Sequence, residues 1–300
     1  MDPHALPPAL HGLLTPAAYP HPVDSIELVQ THISWVLLTG RFAYKIKRPV
    51  RYDFVDLRSA LHRAFLCREE LRLNRRFAPE LYLDVCDITS DAGEAKIAGS
   101  GEVIEHAVRM VQFARADELD RLLAAGRVET SALEAFGRSL AGIHARLPAV
   151  PADAPWGRAA QVREILLENL AQCARASAPY GDPGRLDALQ RTMCDRLERA
   201  MPRFELRRVA GRVRECHGDL HADNVVMQGG RLLAFDCLEF SEAFRWIDVA
   251  DEIAFLRADL GVLGYPAHAH AFLGGYLAES GDYGACGVLD VYGAPRALVR

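Results

Sequence analysis

The sequence contains no apolar stretch long enough to cross a bilayer. Its opening MDPHALPPALHGLL lacks a basic start, an apolar core and a small-residue cleavage site. Neither membrane nor export is therefore expected, and the cytoplasm is the expected location. The seven cysteines (67, 86, 173, 194, 216, 237 and 286) form no C-x-x-C pair. That excludes a zinc knuckle and a disulfide framework as readings, and suggests a reducing compartment. No G-x-x-x-x-G-K-[ST] loop, internal repeat or low-complexity tract is found. Nor does one sign of charge prevail: 35 basic against 40 acidic side chains leave a net charge of -5, which disfavours a nucleic-acid partner. What is present is ordinary globular material, 50% apolar and 25% charged over 300 residues, enough for one large domain or two modest ones.

Charge is distributed unevenly along the chain. Residues 41–80 carry eleven bases against five acids, and residues 236–290 carry ten acids against two bases. The first half reads as short strands around one helix. Ser25 to Val29 and Trp35 to Leu38 are β-rich, and Thr39-Gly40 reads as a two-residue turn into Phe42 to Lys47, where Phe42, Tyr44 and Ile46 share a face. A helix is expected from Leu57 to Phe77, ending before Pro79. Strands follow at Leu81 to Ile88 and Val103 to Phe113, separated by turn-rich SDAGEAK and AGSGE. The second half is mostly helical. Thr130-Ser131 can cap a helix carrying Leu133, Phe136, Leu140, Ile143 and Leu147, with further helices at Arg158 to Ala178 and Pro183 to Ala200 and a short strand at Arg212 to Cys216.

The chemistry concentrates in Cys216 to Phe240, CHGDLHADNVVMQGGRLLAFDCLEF. Two apolar runs flank Gly229-Gly230, a hairpin signal that pairs 228 with 231, 226 with 233 and 224 with 235. Asn224 and Asp236 then stand together at the open end of the ribbon, two oxygen donors converging as a hard divalent cation requires. Asp219 lies five residues before Asn224, on a loop led in by Gly218. Phosphoryl transfer needs such a set: oxygens for a metal that bridges phosphates, and a separate carboxylate to orient and deprotonate the attacking hydroxyl. The spacing equals that of the kinase loop H-R-D-L-x-x-x-N, with His217-Gly218-Asp219 in place of H-R-D and Asp236 in place of the D-F-G aspartate.

Such a site also needs a strand lysine held by a helix glutamate. Ala43-Tyr44-Lys45 supplies an A-x-K pattern, the small Ala43 leaving room for an adenine ring. Lys47 shares the face of Lys45 and is read as a side chain that merely snorkels. Counting across Thr39-Gly40 puts Ser34 opposite Lys45, so the loop Gln30 to Ser34 is expected over the phosphates. It has no glycine, and departs from G-x-G-x-x-G by relying on the hydroxyls and amides of Thr31 and Ser34. Glu69 and Glu70 are both available as the lysine's partner, and Glu70 is chosen.

On these residues the chain resembles the aminoglycoside phosphotransferase and choline kinase branch of the protein-kinase-like fold, over nearly its whole length. That family's H-G-D-L-x-x-x-N loop stands here as residues 217–224, its L-A-x-x-H segment as Leu140 to His144, and its D-L-A as Asp248-Val249-Ala250. The segments YPHPV, QTHISWVLLTG, YKIKRPV and ELRLNRRFAPELYL are similar to a bacterial subfamily often fused to a C-terminal P-loop ATPase domain. The chain stops in what reads as an unfinished helix, so a fused or separate domain of that kind beyond the C-terminus is an expectation.

The resemblance implies an α+β, bilobal protein-kinase-like fold. Residues 1–113 would form a nucleotide-binding lobe, a small antiparallel sheet plus one helix, and 114–300 a helical catalytic and acceptor-binding lobe with the catalytic hairpin. It implies transfer of the ATP γ-phosphate to a small-molecule hydroxyl, with Asp219 as base, Asn224 and Asp236 as magnesium ligands, Lys45 on the α/β-phosphates and Glu70 as its partner. Adenine would meet the backbone of Val111 to Phe113, with Met110 either packing behind it or serving the core alone. Asp248 would brace the catalytic loop. Glu239 could support a second magnesium or cap a turn, His217 would fix the loop, His144 would pack at a helix end, and His221 has no assigned role. With only eleven residues between Asp236 and Asp248, no long peptide-presenting segment fits, and a small acceptor is expected. The acidic run from Glu239 to Asp259 suits a cationic one. Two rivals remain: a regulatory pseudokinase that binds nucleotide without turnover, and a metallohydrolase using His217, Asp219 and His221 with Asp236.

Overall fold

The structure, a computed structural model, describes residues 6–177, 179 and 182–299; the first five residues, Ala178 and Arg300 of the expected helices lie outside them. The chain divides into two compact units, Met1–Ala114 with Glu239–Ser241, and Arg115–Leu238 with Glu242–Arg300.

The first unit is built on a six-stranded antiparallel sheet. Its strands are β1 (Glu27–Gln30), β2 (Ser34–Leu38), β3 (Phe42–Lys47), β6 (Tyr82–Asp91), β7 (Glu94–Ile97) and β8 (Glu102–Val111), in the order β1-β2-β3-β8-β6-β7. Two two-residue strands, β4 (Arg51–Tyr52) and β5 (Val55–Asp56), form a small hairpin before helix α1 (Ala60–Asn74). Alternation along β3 decides what each sheet face holds. Tyr44 and Ile46, with Phe42 at the edge, enter a core with Trp35, Leu37, Ile88 and Ala107, closed by Leu10 and Leu13 of an N-terminal 3-10 segment. Lys45 and Lys47 take the other face, toward α1.

Two departures from expectation have local causes. The β2–β3 register pairs Ser34 with Lys47 and Val36 with Lys45, so Ser34 does not face Lys45. Thr39 N–H donates to Phe42 O at 3.0 Å, which makes Gly40 and Arg41 the central turn residues. Gly40, at φ +86°, occupies the first central position rather than the second, and every pairing moves by two. Strand β7, expected as turn, is reached through Ala92 and Gly93, both at positive φ, without the usual Asn-Gly signature.

The second unit holds α2 (Leu119–Ala124), α3 (Thr130–Arg146), α4 (Ala159–Ser177), α5 (Pro183–Val209), α6 (Glu242–Arg245), α7 (Val249–Val262), α8 (Pro266–Ser280) and α9 (Leu289–Val299). Between them lie β9 (Val213–Glu215) paired with β12 (Trp246–Asp248), and the hairpin of β10 (Val225–Gln228) and β11 (Arg231–Ala234). Helix α3 begins at Thr130, but Glu129 occupies the cap position and no side chain caps it. Helix α5 runs through Pro202 instead of stopping near Ala200, because Phe204 and Arg207 beyond it are buried and their packing outweighs the lost backbone bond. Helices α3 and α8 approach closely at Gly137 and Gly275: a Cβ on either would lie 2.1 Å from a carbonyl oxygen of the other helix.

Candidate functional site

The first unit contributes two lysines and two glutamates. Lys45 Nζ lies 2.8 Å from Glu70 Oε1, while Lys47 donates hydrogen bonds to Glu70 Oε2 and Glu239 Oε1. Glu69 sits toward the surface and pairs with Arg72 at 2.8 Å, so Glu70 is the carboxylate that meets the strand lysines. Lys47 does not snorkel. Its side chain is 0% accessible against 10% for Lys45, so a ligand in solvent can reach the second and not the first. Burial alone would push the Lys47 ammonium down, but Glu239 and Glu70 beside it reverse this and hold it above the ordinary lysine value. Burial likewise pushes the Glu239 carboxyl up, against the pull of Lys47. Glu239 is thus an internal partner of Lys47.

The turn expected to cover phosphates is occupied with itself. Thr31 N–H donates to Ser34 O at 2.9 Å, Ser34 N–H donates to Thr31 Oγ1 at 3.0 Å, and Arg48 takes the carbonyls of Thr31 and His32. Ser34 is fully buried, and its hydroxyl has no hydrogen-bond partner. Neither residue therefore presents a hydroxyl and an amide to a ligand as expected. Met110 is buried on β8 opposite Ala43, and the amides of Val111 and Gln112 donate to Leu81 and Arg41.

In the second unit the loop 217–224 folds around its own aspartate. Asn224 Nδ2 donates to the Asp219 carbonyl at 2.9 Å and to Oδ2 of its carboxylate at 3.1 Å; His221 Nε2 stands 3.4 Å from the same Oδ2. The Asp219 side chain keeps 36% of its surface, so the carboxylate is oriented yet accessible. The expected hairpin register holds: Gln228 pairs with Arg231, Val226 with Leu233, and Phe235 N–H donates to Asn224 O at 2.9 Å. Asp236 follows immediately, with φ +64°, a left-handed conformation that non-glycine residues rarely adopt. Because Asn224 spends its amide nitrogen on Asp219, its side-chain oxygen is what remains for a cation. With the Asp236 carboxylate this makes an all-oxygen donor set, which fits a hard divalent ion.

His217 ties this loop to the hairpin. Its Nε2 donates to Phe235 O at 2.8 Å, and its Nδ1 accepts from Asp219 N–H at 3.3 Å. This requires a neutral ring, and burial pushes the imidazole below its ordinary 6.5. With both nitrogens spent, His217 has no lone pair for zinc, which removes the metallohydrolase set. Gly218, at φ +89°, leaves no room for a side chain: a Cβ would lie 2.8 Å from Phe244 O.

The residues that brace the loop were not those expected. Glu252 Oε2 accepts from Gly218 N–H and Asp259 Oδ2 from Ala222 N–H, each at 2.8 Å. His144 holds the other oxygen of Glu252 at 2.9 Å and is itself held by the Tyr276 hydroxyl at 2.9 Å. Burial pushes the Glu252 carboxyl up, but the His144 hydrogen bond and charge outweigh it and leave the group below its usual range. Asp248, the expected brace, instead receives Arg207 at 2.7 and 2.8 Å and caps α7 through Ala250 N–H. The missed signal was spacing: Glu252 and Asp259 are seven apart on one face of a mostly apolar helix, where a buried carboxylate must find donors.

Among known proteins, the family model of the APH phosphotransferase enzyme family matches residues 52–285. This chain belongs to that family. An uncharacterized protein of Mycobacterium tuberculosis is 33% identical to this phosphotransferase-family chain over 293 residues, 93% of the chain and 55% of the relative, and one of Mycobacterium bovis gives the same figures. The chain spans about half the length of the curated relatives it matches. A glucosamine kinase structure is similar in fold, with TM-score 0.51 and 17% identity over 92% of this chain and 68% of that one. Choline kinase from Cryptosporidium parvum Iowa II is similar at TM-score 0.50 and 10% identity over 91% and 80%. The fold is thus α+β and kinase-like.

Proposed function

We propose that the chain transfers the γ-phosphate of ATP to a hydroxyl of a small molecule. The observation that carries this is the Asp219–Asn224 pair, in which one amide fixes the carboxylate and leaves an oxygen donor next in register to Asp236. In this reading Asp219 accepts the acceptor's proton as its oxygen bonds to phosphorus and the bond to the ADP oxygen breaks. Hydrogen bonding from Asn224 aims the carboxylate, and the neutral His217 holds the loop against the end of β11. Asn224 and Asp236 would hold magnesium, which when bound neutralises charge on the phosphate oxygens. Lys45 contacts the α/β-phosphates, Glu70 positions Lys45, and Phe113 with the face of Met110 receives the adenine.

The acidic run that suggested a cationic acceptor gives that choice little support, because four of its six members have internal work. Glu239 serves Lys47, Asp248 serves Arg207, and Glu252 and Asp259 serve the loop. The acceptor class rests on its hydroxyl and small size alone. The test is Asp219→Asn, assayed with labelled ATP against a panel of hydroxylated metabolites and aminoglycosides. Turnover should fall by about 10²- to 10⁴-fold with nucleotide affinity retained. A wild type that binds nucleotide yet transfers phosphate to nothing, water included, would instead support the pseudokinase.

A further inference from the structure

At the base of the 217–224 loop, three side chains of the second unit bring a nitrogen, a sulfur and an oxygen together: His144 of α3, Cys216 just after β9, and Glu252 of α7. We propose that these three residues form a zinc site that ties α3 and α7 to the start of the loop. The inference rests on the geometry of this unit alone and holds whether or not the chain transfers phosphate.

Three observations support it. One ligand atom of each residue lies within 4.8 Å of the other two, and the residues are only 2%, 0% and 2% exposed. The edges of a tetrahedral zinc site with such donors run about 3.3–3.6 Å, so the sulfur has at most about 1.3 Å to close. His144 Nε2 and Glu252 Oε1, now 2.9 Å apart, need open only slightly. Next, two of the ligands already have outer partners. The Tyr276 hydroxyl lies 2.9 Å from His144 Nδ1, and Gly218 N–H donates to Glu252 Oε2 at 2.8 Å. Partners of this kind orient a metal-binding imidazole or carboxylate and leave its inner atom for the ion. Zinc takes Nε2 and Oε1, so the brace on Gly218 stays in place.

Charge is the third observation. One thiolate and one carboxylate cancel a divalent cation, and the neutral imidazole adds a lone pair, so the buried site carries no net charge. On binding, Cys216 releases to solvent the thiol proton that it otherwise donates to Ile247 O at 3.6 Å. The His144 proton shifts from Nε2 to Nδ1, where the Tyr276 oxygen accepts it, and a water completes the four ligands. Sulfur and nitrogen donors select zinc over magnesium, the reverse of the all-oxygen pair Asn224 and Asp236.

The test uses the full chain. Because the ligands are buried, the ion enters as the chain folds, so the protein is produced in medium supplemented with zinc or with cobalt as a spectroscopic probe, then purified by gel filtration. Wild type should carry about one equivalent of metal per chain in this site. Its cobalt form should show the charge-transfer absorption of a thiolate ligand, which an ion on Asn224 and Asp236 cannot produce. Cys216→Ala and His144→Gln should each lose that absorption and the equivalent of zinc. A wild type that retains no metal, or binds cobalt without a thiolate band, would overturn the proposal, and neither reading needs a variant that folds. A band that survives either substitution would overturn it as well.

Discussion

Individual side chains at this site act mostly on one another. His217 is the clearest case, since both ring nitrogens are engaged only while the ring is neutral. Its folded pKa lies below the ordinary 6.5, so the unfolded chain binds the proton more readily. The stability it contributes is therefore present above pH 6.5 and is lost as pH falls through the depressed folded value, at most ~1.4 kcal/mol per pH unit for one proton. Thermal unfolding followed from pH 7.5 to 5 should show Tm falling in the wild type and falling less steeply in His217→Gln. Equal slopes would place the acid sensitivity elsewhere. Glu118 acts in the opposite sense: burial, with Asp120 nearby, raises its carboxyl to about 7, so its contribution weakens as pH rises from its unfolded value toward neutrality. Comparing His217→Gln with wild type cancels that background.

Among the elements, the α3–α8 pair is the one whose geometry depends on missing atoms. Gly275→Ala should force α8 away from the Glu134 carbonyl; overpacking of this kind costs about 1–3 kcal/mol, or roughly 2–10 °C in Tm for a domain of this size. An unchanged Tm would mean the helices can part freely. How legible each element was depended on whether its signal was local. The β10–β11 hairpin was readable to the residue because Gly229 and Gly230 both take positive φ, and such a turn fixes its register. The β2–β3 turn was misplaced because one glycine beside a threonine allows two positions, and only the bond from Thr39 to Phe42 selects between them. Helix α1 was found but not its inner face, which buries Arg63, Glu70 and Asn74 among apolar residues and so shows no apolar stripe. At the site, the neighbourhood of Asn224 and Asp236 could be counted from sequence, and a helix glutamate for the strand lysine could be expected, though not whether Glu69 or Glu70 supplies it. The work of Lys47, Glu252 and Asp259 could not, since each depends on a partner distant in the chain.

Across the whole molecule, the uneven charge read from sequence is partly settled inside it. Lys45, Lys47 and Arg63 of the basic stretch are buried against glutamates, and Asp248 and Asp282 of the acidic stretch share Arg207. Among the described residues, no helix is long and apolar enough to cross a membrane. If nucleotide is the ligand, saturating Mg-ATP should raise Tm, because a ligand at one hundred times its Kd stabilises the folded chain by about 2.7 kcal/mol. A folded sample whose Tm ignores Mg-ATP would remove nucleotide from the reading.

The left-handed backbone at Asp236 governs how that position can be probed. Asparagine and aspartate tolerate the conformation, whereas alanine pays a penalty of order 1–2 kcal/mol for it. An alanine scan at 236 would thus record backbone rearrangement and loss of a carboxylate together. Asparagine keeps the chain path and removes only the charge, which makes it the substitution whose kinetics can be interpreted.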